Sequence, residues 1–401
     1  MTCSVMTRPL DIAIIGAGPH GLMLATHLLK KRPKWRSRLK IFDPSGQWLK
    51  VWQQQFEALD IPYLRSPAVH HPDPNPYALR HFAETRPEHF YPPYDRPSRE
   101  LFQQFCQDVI KRWQLEEQVI PQKIEAIEPL KGRKSSLYQL HSGSGESVIA
   151  RRVVLATGPS VPQWPSWAEN HRGERLCSAQ EVDLRGLSLR GEQVVIVGGG
   201  LTAGHLAVGA TTRGATVTLI HRRKMQVKLF DADPSWLGPK SLKTFWEERD
   251  WETRWQMIQS ARNGGSLTPE MMTQLRQAQK QGLLQLRENC QIVDLVESGQ
   301  QWQITCDDGQ TLKCDRLWCA TGTQWDVAQH PLLKTLQDFA PLPLIRGLPV
   351  LDDHLRWGKS NIFVMGGWAA LQLGPVARNL SGGRMACDRI VPALIKPSLY
   401  S

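Results

Sequence analysis

Gly16, Gly18 and Gly21 stand at the spacing of a loop that takes a phosphate. They follow the β-branched run Ile12-Ala-Ile-Ile15 and lead into Leu22-Met-Leu-Ala-Thr-His-Leu-Leu29, whose apolar spacing is that of a buried helix. Gly16 is expected to make the tight turn, Gly18 to let backbone reach a pyrophosphate, and Gly21 to let the helix pack on the strand. Pro19 and His20 fall in the first helical turn, where free N–H groups and the positive dipole end face the phosphates. Leu39-Lys-Ile-Phe-Asp43 reads as the next strand. Its Asp43 falls about 20 residues past the last glycine, where an acid holds a ribose 2′-hydroxyl. Trp48, just beyond, joins the candidate lining.

The pattern occurs twice. Gln193-Val-Val-Ile-Val-Gly198-Gly-Gly200-Leu201-Thr202-Ala203-Gly204 is a second strand, glycine loop and helix start, with Gly198, Gly200 and Ala203 in the fingerprint positions. Its second strand, Ala215 to Ile220, ends in His221-Arg222-Arg223 with no acid nearby. Arginine at that place accommodates a 2′-phosphate, so Arg222 and Arg223 point to NADPH rather than NADH. Each copy also closes on a strand ending in Ala-Thr-Gly: Thr157 and Gly158 in the first, Thr321 and Gly322 in the second. Small residues there let backbone or a ligand come close.

These elements imply an α/β chain of two Rossmann-like three-layer dinucleotide-binding domains. Residues 1–160 and 323–401 form the first, interrupted by 161–322, which form the second. After Asp43 the chain enters a segment rich in Pro, His and aromatics, and its prolines forbid a regular helix or central strand. Arg65, His70 and His71 in this shaped loop either face the reactive end of a cofactor or pack the loop. Ser98 is placed to cap a helix from about Arg99 to Trp113, with Leu101, Phe102, Phe105 and Val109 inward. Short strands are expected near Val119 to Ile127, Ser136 to His141 and Ser147 to Arg151, and a hairpin with an Asp-Gly turn over Gln303 to Lys313. The stretch from Met225 to Arg287 reads as a helical insertion outside both cores, either a lid or an oligomer contact. In the tail, Asn361 to Met365 reads as a strand, and Gly374-Pro375 as a helix start whose N-terminus would favour negative charge on a flavin.

The bulk properties narrow the setting. The 401 residues, 41% hydrophobic and 22% charged, suit a globular chain of two or three domains. No apolar run reaches the roughly 18 residues of a membrane span, and Met1 to Leu10 hold no signal-peptide core, so a cytoplasmic protein is expected. The eight cysteines, Cys3 among them, include no C-x-x-C pair, which argues against a dithiol or a metal centre. The net charge of +11 reads as a solvated basic surface plus cations at phosphates, since no nucleic-acid module is visible.

Two nucleotide loops joined by Ala-Thr-Gly strands resemble the flavoproteins with two dinucleotide-binding domains, in which the first site holds FAD and the second NAD(P)H. Two marks of the disulfide reductases are missing. There is no close cysteine pair beside the first site, since Cys314 and Cys319 flank a strand of the second domain. The last strand of the first domain ends in Gly367-Trp368 rather than Gly-Asp. The chain is more similar to the lysine/ornithine N-hydroxylases, on Leu64-Arg-Ser-Pro67 after the first acid and Asn379-Leu-Ser-Gly382 in the last helix. The Baeyer–Villiger and flavin-containing monooxygenases carry a histidine before the second fingerprint where this chain has Cys177. The resemblance implies an FAD- and NADPH-dependent monooxygenase that passes oxygen from a C4a-hydroperoxyflavin to a nitrogen of a small-molecule substrate, with O2 as co-substrate. Arg65, His70, His71 and Asn379 are its pocket candidates. Two alternatives stay open: an FAD-dependent NAD(P)H oxidoreductase serving a quinone or protein acceptor, and a nonenzymatic nucleotide-binding protein.

Overall fold

The computed structural model describes residues 8–130, 137–158 and 161–396. Cys3, residues 1–7 of the leader reading and Ser136 of the expected second short strand lie outside them. Two five-stranded sheets organise the chain, and every pairing in both is parallel. The first runs Ile362–Val364, Val153–Leu155, Ile12–Ile15, Leu39–Phe42, Val119–Ile120, so its strands come from both ends of the chain. The second runs Leu176–Ser178, Arg316–Cys319, Gln193–Val197, Thr216–His221, Leu284–Glu288. Such sheets need cover on both faces, which explains why their central strands Ile12–Ile15, Val153–Leu155 and Gln193–Val197 are apolar and largely buried.

The two copies agree bond for bond. The amide of Gly16 donates to the Phe42 carbonyl at 2.9 Å, and that of Gly198 to Ile220 at 3.0 Å. The Ala-Thr-Gly strands lie on the other side: Ala156 donates to Ile15 and Ala320 to Val197, both at 2.8 Å. Each copy carries one antiparallel three-stranded sheet, Ile124–Pro129 with Tyr138–Ser142 and Ser147–Ala150, and Ile292–Ser298 with Gln301–Cys306 and Thr311–Cys314.

Three expectations need correction. The strand expected near Val119 to Ile127 is two strands in different sheets, Val119–Ile120 and Ile124–Pro129. The C-terminal part of the stretch from Met225 to Arg287 belongs to the second domain: helix Pro269–Lys280 packs its Met271, Met272 and Leu275 into that domain's core, and Leu284–Glu288 pairs with Thr216–His221. The remainder, with helices Pro239–Glu247 and Trp251–Arg262, buries Trp236, Leu242, Phe245 and Ile258 in the core of the first domain. It is a bridge, anchored where burial of one such side chain contributes about 1.5–3 kcal/mol. Finally, Gly374 does not start a helix. At φ 77° it ends the short helix Ala370–Leu373, and the tail helix Leu380–Ile395 begins after Asn379. Positive φ at glycine is the ordinary way a helix stops.

Candidate functional site

The first glycine loop is set by close backbone approach. Gly16 has φ +109°, and a Cβ there would lie 2.6 Å from the Ala156 carbonyl oxygen; one on Gly21 would lie 2.2 Å from that of Gly16. Gly18 is different, because nothing lies within 4 Å of where its Cβ would be. It precedes helix Pro19–Lys31, with Pro19 at the first turn, so open space and unpaired helical N–H groups coincide there. Asp43 accepts the Ala17 amide on one carboxylate oxygen at 3.0 Å, and the Ser45 amide and hydroxyl on the other at 3.0 and 2.6 Å. The oxygen that accepts the Ala17 amide keeps acceptor capacity for a hydroxyl. Trp48 is buried in the core and donates its indole N–H to Leu115.

At the end of the adjoining strand the Thr157 hydroxyl is buried and has no hydrogen-bond partner among the described residues, while Gly158 beside it is exposed. Trp368, standing where a disulfide reductase has its acid, is fully buried and donates to the Gly158 carbonyl at 3.2 Å. A buried orphan hydroxyl, a bare glycine and a free helix start make a cradle that fits a dinucleotide.

The tail helix and the bridge meet beside this cradle. His20 donates Nε2–H to the Asn379 carbonyl at 2.9 Å, and burial holds its pKa below the usual histidine value. The Asn379 amide donates to Asp231 at 3.1 Å, and Arg262 donates to the other Asp231 oxygen and to the Pro375 carbonyl. Burial pushes the Asp231 carboxyl up, but Arg262, Arg378 and Arg65 outweigh it and hold it below the carboxylate range. Arg378 is exposed and adds a further positive charge acting on Asp231. Neither Asp231, Arg262 nor Arg378 stood out in the sequence.

Of the loop candidates, Arg65 spans the two domains. It donates Nε to Leu229 at 2.7 Å and Nη2 to Lys228 at 2.7 Å and to the Ser266 hydroxyl at 2.8 Å. His71, 1% exposed, accepts the Asp73 amide on Nδ1 and donates Nε2–H to the Pro76 carbonyl, both at 3.2 Å. Burial pulls its pKa down to about 4. These two are struts of the loop. His70 is half-buried and also pulled down by burial.

The second loop has the same steric logic. Gly198 has φ +154° and a Cβ on it would sit 2.4 Å from the Ala320 carbonyl; one on Gly199 would sit 2.3 Å from the His221 ring. Gly200 precedes helix Leu201–Thr211, whose Thr202 is half-buried and Ala203 fully buried. Leu201 lines a cavity of about 300 Å³ that also holds Tyr63, Arg65, His205 and Met271. Arg222 is exposed, whereas Arg223 donates to Asn263 at 2.8 Å. Thr321 gives its hydroxyl to the Gln163 carbonyl, and the Gln163 amide donates to Gly322 at 2.9 Å, which stitches the crossover between the domains. Cys314 and Cys319 are buried free thiols, each pushed up to about 12 by burial.

Residues 13–160 match a family described as FAD-NAD(P)-binding, and residues 193–240 one described as pyridine nucleotide-disulphide oxidoreductase. Ornithine N-hydroxylase of Kutzneria sp. 744 superposes with a TM-score of 0.78 at 18% identity, over 98% of this chain and 100% of that one. The chain has the fold of the ornithine and lysine monooxygenases. A cadaverine monooxygenase of the desferrioxamine pathway from Erwinia amylovora gives 0.77 at 17% identity, over 98% and 95% of the two chains. L-lysine 6-monooxygenase from Pseudomonas syringae gives 0.74 at 17%, over 96% and 99%. No curated protein matches the sequence. Among the described residues no helix is long and apolar enough to cross a membrane.

Proposed function

We propose that this chain is an FAD- and NADPH-dependent monooxygenase that hydroxylates a nitrogen of a small amine. The observation that carries the reading is the pair of glycine loops, each forced by a carbonyl from its own Ala-Thr-Gly strand, with an orphan hydroxyl beside the first and arginines beside the second. At the first loop the Gly18 backbone and the start of helix Pro19–Lys31 would hold the pyrophosphate of FAD, Asp43 the ribose, and Thr157 the chain leading to the flavin ring. At the second, Gly200 and the start of helix Leu201–Thr211 would hold the NADPH pyrophosphate, with Arg222 and Arg223 at its 2′-phosphate. A bound flavin supplies hydride acceptance and oxygen activation.

The chain's own part is positioning, charge and exclusion of water. Asp231, Arg262, Arg378 and Asn379 leave a surplus of positive charge at the start of the tail helix, which favours negative charge on a neighbouring ring. Trp368 is fully buried, and the half-buried Trp325 and His330 pack edge-on against its ring, so apolar surface rather than water would face that end.

The test is direct. The purified protein should carry flavin absorbance, be reduced faster by NADPH than by NADH, and consume NADPH and O2 together with formation of a hydroxylated amine. Reduction that proceeds only with a quinone or protein acceptor and no O2 uptake overturns the monooxygenase reading. A colourless protein that FAD cannot reconstitute overturns the enzyme reading altogether.

A further inference from the structure

Helix Trp251–Arg262 of the bridge ends in a turn whose three residues all lie in the left-handed region: Asn263 at φ 41°, Gly264 at 71° and Gly265 at 96°. Only glycine and, less readily, asparagine adopt this backbone without a steric penalty. The turn lands on the second glycine loop. A Cβ on Gly265 would lie 3.1 Å from the Cα of Gly200, the residue that precedes helix Leu201–Thr211. This is the point at which a nucleotide pyrophosphate meets a helix start.

The turn is also tied to the arginine pair. Arg223 donates Nη1–H to the Asn263 side-chain oxygen at 2.8 Å. Its other terminal nitrogen packs on Gly264, where a Cβ would come within 2.4 Å. Arg222 has no side-chain partner among the described residues. Below them the His221 ring covers Gly199. One arginine is thus at liberty, and the other holds the bridge down over the loop.

We infer that the Asn263–Gly265 turn is a latch on the nicotinamide-nucleotide site, held shut by Arg223 and released when a nucleotide 2′-phosphate takes Arg223 from Asn263. The inference rests on the reading that the second loop binds NADPH. The exchange is favourable because a phosphate brings its own negative charge and can accept from the guanidinium bidentately, whereas the neutral amide oxygen takes a single bond. A nucleotide without the 2′-phosphate has to lift the turn off Gly200 with nothing to replace the lost Arg223 bond.

Arg223 then has two opposed effects on binding, which separates a latch from a simple phosphate ligand. The measurement is calorimetric titration of the purified holoprotein with 2′,5′-ADP and with 5′-AMP, neither of which can be oxidised. Wild type should bind 2′,5′-ADP more tightly; equal affinities would overturn the NADPH reading and the latch with it. R223A should bind 2′,5′-ADP more weakly and 5′-AMP more tightly, the gain being about three- to tenfold, as expected for one hydrogen bond at an exposed position. R222A should weaken 2′,5′-ADP alone. N263G, which keeps a residue suited to positive φ, should tighten both nucleotides by a similar factor. If R223A and N263G leave 5′-AMP affinity unchanged while wild type still prefers 2′,5′-ADP, the latch is wrong and the NADPH reading stands.

Discussion

Thr157 and Thr321 end equivalent strands of the two domains, yet Thr321 gives its hydroxyl to the Gln163 carbonyl and Thr157 gives its own to no described residue. One threonine is a stitch, and under the proposed function the other contacts the flavin nucleotide. The substitution Thr157→Val, close to isosteric, should therefore stabilise the flavin-free protein by about 1 kcal/mol, because it removes a buried unsatisfied group. The same change should weaken FAD retention several-fold. Thr321→Val should do the reverse, lowering stability by about 1 kcal/mol and leaving flavin content unchanged. Thermal melts of stripped and reconstituted protein read both effects.

Arg65 makes a planar fork that joins the shaped loop of the first domain to Lys228, Leu229 and Ser266 of the bridge. Lysine cannot reproduce that geometry, since its donors radiate from one atom. Arg65→Lys is expected to cost about 2 kcal/mol in stability. A strut that positions the bridge should move KM for NADPH more than the rate of hydride transfer. Denaturant titration and stopped-flow reduction of the flavin separate the two. A variant as stable as wild type that cannot be reduced would make Arg65 a cofactor contact instead.

The legible features were those whose cause is local. Gly16 and Gly198 are demanded by carbonyls that the neighbouring strand brings within 2.6 Å of where a Cβ would be, and Gly21 by the Gly16 carbonyl, so a strand, glycine triplet and helix in order announce themselves. Ser98 caps its helix through the Leu101 amide at 3.0 Å, another short-range bond. Gly374-Pro375 misled because a glycine at positive φ ends a helix as readily as a Gly-Pro pair opens one. Strand Leu284–Glu288 hid because it closes the sheet edge, where Gln285 and Glu288 face solvent and the apolar run is broken. The cluster around Asp231 has no sequence signature at all. Asp231 meets Asn379 across 148 residues, and Arg65 meets Ser266 across 201.

His71 should make the fold acid-sensitive. Burial pulls its pKa down to about 4 from 6.5, and its Nδ1 is occupied as an acceptor of the Asp73 amide. Above pH 6.5 both folded and unfolded chains hold it neutral, so its contribution is fully present. As pH falls from 6.5 towards 4, the unfolded chain takes the proton first, and about 3 kcal/mol of stability is lost. Denaturant titrations across that range should show the decline, and His71→Gln should make it shallower. An unchanged slope in the variant would assign the acid sensitivity to the other histidines that burial pulls down, among them His205, which falls to about 4.

Asp231 is the single carboxylate acting on Arg262, Arg378 and Arg65, and it also accepts the Asn379 amide. Removing its charge leaves the guanidinium of Arg262, only 14% exposed, beside two like charges with no counter-ion. Breaking a fully buried pair in this way costs about 3–5 kcal/mol; partial solvent access on the Asp231 side brings the expected loss for Asp231→Asn to about 2 kcal/mol. Because the surrounding arginines outweigh burial and hold the carboxyl below its usual range, the stabilisation is present above the unfolded pKa of 3.8 and is lost only as pH falls through the lower folded value. The loss should therefore be fully expressed at neutral pH and shrink under strong acid. Since Asp231 joins Asn379, at the start of the tail helix, to Arg262 of the bridge, amide exchange should accelerate in both segments together. Acceleration confined to the bridge would place the coupling elsewhere.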